Sequence, residues 1–288
     1  MLRKNLVLVY KDDGCMKDSP IAIFNWLKAF LNQQDIAVAY VSANDIFGIN
    51  PYGILGNKGL IPSNILALCI PGGQSRTRSD INRLRACNNA GLKLIYNFVE
   101  RGGFLLGICG GGYLPARITD FRGDPTIDPF EIRRTSEFFL FDGIAQGSIP
   151  ELTNGHFYNG KDRSSANVVE ISYNGNKSAF LYYKGGPCFI TESETGYPAN
   201  VEILSRYAIT GKPAVIKISH GKGTAVLSGV HPEYYTGQGI PLLPNSVDYA
   251  HCHTMRNTLE KHISDSEAFS MFILSQLGLK PVAATSNF

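Results

Sequence analysis

"GGFLLGICGGGYL", residues 102–114, carries an apolar run to a cysteine and leaves it through three consecutive glycines. A cysteine that only fills a core needs no special backbone, because a free thiol packs as a small hydrophobe. Glycine on both sides marks a place where the chain turns at angles, or approaches neighbours at distances, that a side chain obstructs. A strand that stops at such a turn and runs into a helix is the pattern of a nucleophile elbow. Here Gly107-Ile108-Cys109-Gly110-Gly111 puts sulfur where the better-described pattern has oxygen. A helix starting at the turn would aim its first N–H groups and positive dipole end at the thiol and favour thiolate. The competing reading is a buried structural cysteine in a glycine-rich turn.

Toward the N-terminus, short apolar runs alternate with helical patterns, as in a parallel sheet covered by helices. "LVLVY" (6–10), "IAVAYV" (36–41), "ILALCI" (65–70) and "FLLGI" (104–108) read as strands. Ser19, as cap, and Pro20 open a helix in which Ile21, Phe24, Leu27 and Phe30 recur at helical spacing. A second helix starts near Asp80, breaks over Asn88 to Gly91, and lines up Leu94, Ile95, Phe98 and Val99 before Gly102 ends it. Beyond Cys109 the texture changes. Residues 118–130 are polar and proline-bearing, and then come "FFLFDG", "NVVEIS", "SAFLYY", "CFIT", "ILSRYA", "PAVIKIS" and "TAVLSG", a mostly antiparallel extension of the parallel core. The last two flank His220-Gly221-Lys222-Gly223 as a hairpin. A loop over 235–252, a closing helix from about Arg256 to Leu277 and a loose tail of eleven residues complete the chain. The expectation is one α/β domain over 1–288, with a parallel core (1–117), a strand-rich part (118–235), and a loop and closing helix (236–280).

Composition narrows the function classes. With 44% hydrophobic and 18% charged residues, the chain has material for a substantial core. A net charge of +3 and no basic stripe interleaved with aromatics argue against nucleic acid as a partner. Cysteines 15, 69, 87, 109, 188 and 252 form no Cys-x-x-Cys pair, so neither a zinc site nor a disulfide framework is expected, and a reducing compartment fits. Leu6 to Tyr10 is too short for a signal-peptide core, and no run reaches the length of a membrane span. The expected location is the cytoplasm, with no membrane partner.

A nucleophile needs a base. In "AVLSGVHPEYY", His231 follows directly on an apolar strand, and Pro232 favours an extended backbone there, so that His231 and Glu233 would project to one side. Glu233 would then hold the imidazole in the tautomer that exchanges a proton with Cys109. The alternative is a surface turn with a chance charge neighbour. In "CIPGGQS", Gly72 and Gly73 follow a buried strand; a glycine N–H from this loop, with that of Gly110, would form an oxyanion hole.

"LCIPGG", "GICGGG" and "GVHPE" resemble, in this order, the oxyanion strand, cysteine elbow and His-x-Glu of class I glutamine amidotransferase domains. "GICGGGYL", "YYKGGPCF" and "GKGTAVLSGVHPE" are similar to one branch of them, the biotin-protein ligase N-terminal-like domain. The resemblance covers roughly Leu6 to Glu233. It implies a flavodoxin-like sheet, Cys109, His231 and Glu233 as a triad, and Gly73 and Gly110 near the oxyanion. The glutaminases of the class usually have glutamine four residues after the nucleophile; this chain has Tyr113, which with Gly72 would line the substrate pocket. No Gly-Arg dipeptide occurs, so the Gly-Arg-Gly-Arg signature of the biotin-ligase catalytic domain is missing and ligation of biotin is not expected.

Other features read more simply. His251-Cys252-His253 offers zinc ligands, but adjacent residues on an extended chain point to opposite sides, so no metal is expected. Tyr182 and Tyr183 read as strand packing, and the arginine-rich stretch 76–85 as an exposed helix face. The expected activity is a cofactor-free cysteine hydrolase or acyl or amido transferase acting on an amide-type carbonyl of a small molecule, with a peptidase-like hydrolase as a variant. The rival is a catalytically silent binding or regulatory module on the same scaffold.

Overall fold

A computed structural model describes residues 5–12, 14–31, 34–61, 64–73, 81–194, 196–240, 242 and 246–283, by backbone alone at 81, 82 and 86–88. Its first half runs β1 (Leu6–Tyr10), α1 (Ser19–Leu31), β2 (Ala37–Val41), α2 (Ala43–Ile46), β3 (Ile65–Ile70), α3 (Ile81–Glu100) and β4 (Phe104–Ile108). The second half has α4 (Gly110–Tyr113), β5 (Ala116–Arg122), β6 (Glu131–Thr135), β7 (Phe141–Gly147), β8 (Asn167–Tyr173), β9 (Lys177–Tyr183), β10 (Cys188–Ile190), β11 (Val201–Tyr207), β12 (Pro213–His220) and β13 (Gly223–Ser228). It closes with α5 (Tyr249–Lys261) and α6 (Ile263–Gln276).

The main sheet has the order β2-β1-β3-β4-β13-β12-β11-β8-β9. Pairings are parallel from β2 through β13 and antiparallel beyond, so a flavodoxin-like half is extended by antiparallel strands. Alternation along the parallel strands splits the apolar side chains between two faces. Val7, Val9, Ala67, Cys69, Leu106 and Ile108 face Ile23, Leu27 and Phe30 of α1 and Phe269 and Ile273 of α6. Leu8, Tyr10, Leu68, Ile70 and Leu105 face Leu84, Ile95, Phe98 and Val99 of α3. Each large side chain buried this way contributes about 1.5–3 kcal/mol. Strands covered on both faces must be apolar throughout, which is why "ILALCI" and "FLLGI" read as unbroken runs.

Several expectations change. Residues 118–130, read as polar and proline-bearing, include most of a strand: β5 is an inner strand of a four-stranded sheet, β10-β7-β5-β6, parallel to β7 and antiparallel to β6. Its Ile118 and Phe121 are buried between polar neighbours, and Phe121 packs on Phe130 and Tyr158 at 5.5 and 5.4 Å. The strand expected at "FFLFDG" begins later, at Phe141. Helix α3 is unbroken, although Asn89, at φ 61, marks the place where a break is expected. Within the arginine-rich stretch, Arg76 and Arg78 lie outside the described residues. Arg83 pairs with Asp12 at 3.0 Å. Arg85 turns inward to donate to Leu114 O (3.0 Å) and Thr119 Oγ1 (3.3 Å), and burial lowers it to about 10.

The closing helix is two helices meeting at His262, and the first begins at Tyr249, inside the expected loop. His251, Cys252 and His253 therefore fan out around a helix rather than along an extended chain. His251 Nε2 meets Ala166 O at 2.8 Å, Cys252 is buried, and His253 Nδ1 faces Asn257 at 3.2 Å. The start of the tail is packed, with Leu279 buried and Val282 N–H donating to Phe30 O at 3.0 Å; residues 284–288 lie outside the description. Among the described residues, no helix is long and apolar enough to cross a membrane.

Candidate active site

β3, β4 and β13 are neighbours in the sheet, and their carboxyl ends deliver Pro71 to Gly73, Cys109 and His231 to one edge. Open α/β sheets place their ligand sites at this end of the strands. Cys109 has φ 52 and ψ −109, a left-handed conformation that costs a side-chain-bearing residue on the order of 1–3 kcal/mol and is held only by its surroundings. Those surroundings are close backbone contacts. Cys109 N–H donates to Ser228 O (2.8 Å) and Gly111 N–H to Pro71 O (3.0 Å). A Cβ on Gly107 would stand 2.4 Å from Gly111 O, and one on Gly111 2.2 Å from Ile70 O, so both positions require glycine. The helix after the cysteine is a single turn, α4, and its dipole is correspondingly small; a charge partner for the sulfur has to be a side chain.

That side chain is His231. Its N–H donates to Tyr182 O at 2.9 Å, fixing it beside β9, and Pro232-Glu233-Tyr234 form a 3-10 turn instead of continuing the strand. The turn, rather than the expected extended alternation, brings Glu233 Oε1 to 2.8 Å from His231 Nδ1, with both side chains fully buried. Tyr182 and Tyr234 flank the imidazole at 5.5 and 5.3 Å between ring centroids. Burial acts to lower the His231 pKa, but the Glu233 carboxylate and then the Cys109 sulfur outweigh it and raise it to about 10. As a thiol, Cys109 donates from Sγ to Lys184 O at 3.5 Å, and the buried His231 Nε2 has no hydrogen-bond partner of proper geometry among the described residues.

A raised folded-state value means that the pair's stabilisation is complete below the ordinary histidine value near 6.5 and is lost as pH rises through about 10. Buried Lys184, lowered to about 8 chiefly by burial and then by Arg163, acts in the opposite sense over an overlapping range. The comparison that isolates His231 is therefore between variants. From pH 7 to 10, the melting temperature of the wild type is expected to fall more than that of Glu233→Gln, in which the imidazolium has lost its carboxylate. Parallel curves would rule out a charged His231.

The glycines of the turn after β3 divide their tasks. Gly72 lies against the ring, since a Cβ there would be 3.2 Å from His231 Cε1, and its N–H donates to Ser19 Oγ at 3.0 Å. Gly73 bridges to Cys15. Gly110 opens α4, so its N–H has no intrahelical acceptor. Tyr113 is a buried wall: its hydroxyl donates to Gly185 O (2.9 Å) and its ring packs edge-on against Phe121. Tyr113→Phe is expected to cost about 1 kcal/mol in urea unfolding, because one buried hydrogen bond is lost without a change of shape.

Two neighbours escape a reading of the sequence. Ser19 stands in a capping pattern, yet its hydroxyl donates inward to Glu233 Oε1 at 3.3 Å. Lys184, within "YYKGG", sends its ammonium to Asp162 O at 2.7 Å while its carbonyl takes the thiol. At the other described cysteines burial works against the thiolate: it pushes half-buried Cys15 to about 11, Cys69 to about 12 and Cys188 to about 11, and raises Cys252.

Comparison with known proteins agrees with this architecture. A glutamine amidotransferase from Thermotoga maritima superposes with a TM-score of 0.56 over 96% of this chain and 100% of its own, at 10% identity, a likeness of fold. A biotin–protein ligase of Schizosaccharomyces pombe is 29% identical over 243 residues, 82% of this chain; the match spans only 34% of the ligase. An uncharacterised protein of Chlamydia muridarum is 27% identical over 230 residues, 79% of this chain and 80% of its own. The family described as biotin-protein ligase, N terminal, matches residues 5–287. The chain belongs to the biotin-protein ligase N-terminal family, on a fold it shares with class I glutamine amidotransferases.

Proposed function

We propose that the chain is one domain working as a cysteine-dependent hydrolase or acyl transferase on a small molecule with an amide-type carbonyl, through Cys109, His231 and Glu233. The observation that carries this reading is the left-handed Cys109 beside a fully buried His231–Glu233 pair. Strain of that kind persists where surrounding structure holds it, and such positions cluster at reactive sites.

The steps follow from the charges. The Cys109 thiolate adds to the carbonyl carbon, and the N–H groups of Gly73 and Gly110 receive the developing oxyanion. On collapse the C–N bond breaks and the imidazolium of His231 gives its proton to the leaving nitrogen, leaving a thioester on Cys109. Neutral His231 then takes a proton from water or an acceptor as that group displaces the sulfur. Glu233 orients the ring and balances its charge throughout. No cofactor or metal is needed for these steps. Biotin ligation is not proposed: the related part of the fission-yeast ligase is about a third of that protein, and the Gly-Arg-Gly-Arg signature is missing here.

The test is a panel of small amides, glutamine included, offered to wild type and Cys109→Ala, with hydroxylamine added to trap the thioester as a hydroxamate. Turnover that falls on the order of 10⁴-fold in the variant supports the reading; equal turnover overturns it. One observation favours a silent binding module instead. Tyr113 occupies the place of the glutaminases' glutamine, and its hydroxyl is spent on Gly185. A ligand held equally by both proteins with no turnover by either would decide for that module.

A further inference from the structure

Glu233 sits in a closed environment. Its Oε1 meets His231 Nδ1 at 2.8 Å and the Ser19 hydroxyl at 3.3 Å, while Oε2 is buried with no hydrogen-bond partner among the described residues. A buried carboxylate with so few donors depends heavily on each. Ser19 is fully buried at the first position of α1, 214 residues away in sequence, and it makes a second bond on its other side by accepting Gly72 N–H at 3.0 Å. Gly72 in turn lies against the His231 ring and precedes Gly73, the proposed oxyanion donor. One hydroxyl thus joins the turn after β3 to the carboxylate behind the imidazole.

We infer that Ser19 is a positioning residue that locks Glu233 and the Gly72–Gly73 turn in register, so that the imidazole and the oxyanion donors are held as one unit. This rests on the proposed role of Cys109, His231 and Glu233. A helix cap needs only its own first turn; here the hydroxyl serves neither end of α1. Without it, Glu233 keeps a single donor and Gly72 N–H loses its acceptor, while the fold loses only one oxygen atom.

Three readouts on Ser19→Ala test the inference without a known substrate. The rate of Cys109 alkylation by iodoacetamide, located by mass spectrometry, is expected to fall about tenfold, the equivalent of one charge-assisted hydrogen bond. The far-downfield proton resonance of His231 Nδ1–H is expected to move or broaden, and the Gly72 amide to exchange faster with solvent. Ser19→Cys, which keeps a weak donor in similar volume, is expected to fall between, and it replaces the alanine variant as the test if that one does not fold. A folded Ser19→Ala protein with unchanged alkylation and an unchanged resonance overturns the inference while leaving the triad intact. If His231→Gln and Glu233→Gln also alkylate at the wild-type rate, the triad itself has failed, and Ser19 is only a structural contact.

Discussion

Replacing His231 by alanine is expected to slow iodoacetamide alkylation of Cys109 at pH 6 by on the order of a hundredfold. The wild-type imidazole is charged far above that pH, since the Glu233 carboxylate and the Cys109 sulfur raise it to about 10 despite complete burial. The thiolate is the form that attacks an alkylating agent, and a cationic neighbour favours it. On any substrate found by the amide panel, the same variant is expected to lose on the order of 10⁴ in turnover, because the proton donor for the leaving group is gone. Glu233→Gln should give a smaller loss of the same kind. The measurement has an internal control, since Cys15, Cys69 and Cys188 are pushed to about 11 or 12 by burial and should label slowly in every variant. Alkylation of Cys109 no faster than of these thiols in the wild type would end the proposal.

The largest stability effect is expected at Gly111. A methyl group there would stand 2.2 Å from the carbonyl oxygen of Ile70, at the end of a strand buried between two others, and neither partner is a flexible side chain able to move aside. Gly111→Ala should cost about 3 kcal/mol or more in chemical denaturation, the upper range for overpacking, and should disturb Cys109 along with the fold. Gly175→Ala is the contrast. It sits in the turn between β8 and β9 at φ 81 with nothing within 4 Å of the added carbon, so only backbone strain of roughly 1–2 kcal/mol is expected. Equal losses at the two sites would mean that conformation, rather than close packing, demands glycine at the elbow.

Much of the parallel half was legible because its causes are local. Apolar runs of strand length, helical spacing in α1 and α3, and glycines bracketing Cys109 are properties of neighbouring residues, so they identify the strands and the turn without knowledge of the partner. The pairing of His231 with Glu233 was legible too, though for the wrong geometric reason, because a 3-10 turn, not strand alternation, closes two residues of sequence separation to 2.8 Å. β5 was missed because Arg117, Thr119, Asp120 and Arg122 outweigh the apolar residues between them, and its burial comes from Phe130, just before β6, and from Tyr158, farther along the chain. The length of α4 was missed because glycines signal that the chain turns and say nothing about how far the following helix runs.

The sequence by itself determined which residues are reactive in kind: a cysteine on a strand-ending glycine turn, a His-x-Glu after another strand, and a Pro-Gly-Gly after a third. Only the tertiary structure decided that these three ends are adjacent, because β4 pairs with β3 on one side and β13 on the other across more than a hundred residues. It also decided that Ser19 faces Glu233 and that Lys184 presents its carbonyl to the thiol. Such contacts follow from the order in which strands enter a sheet, and no local run of residues encodes that order.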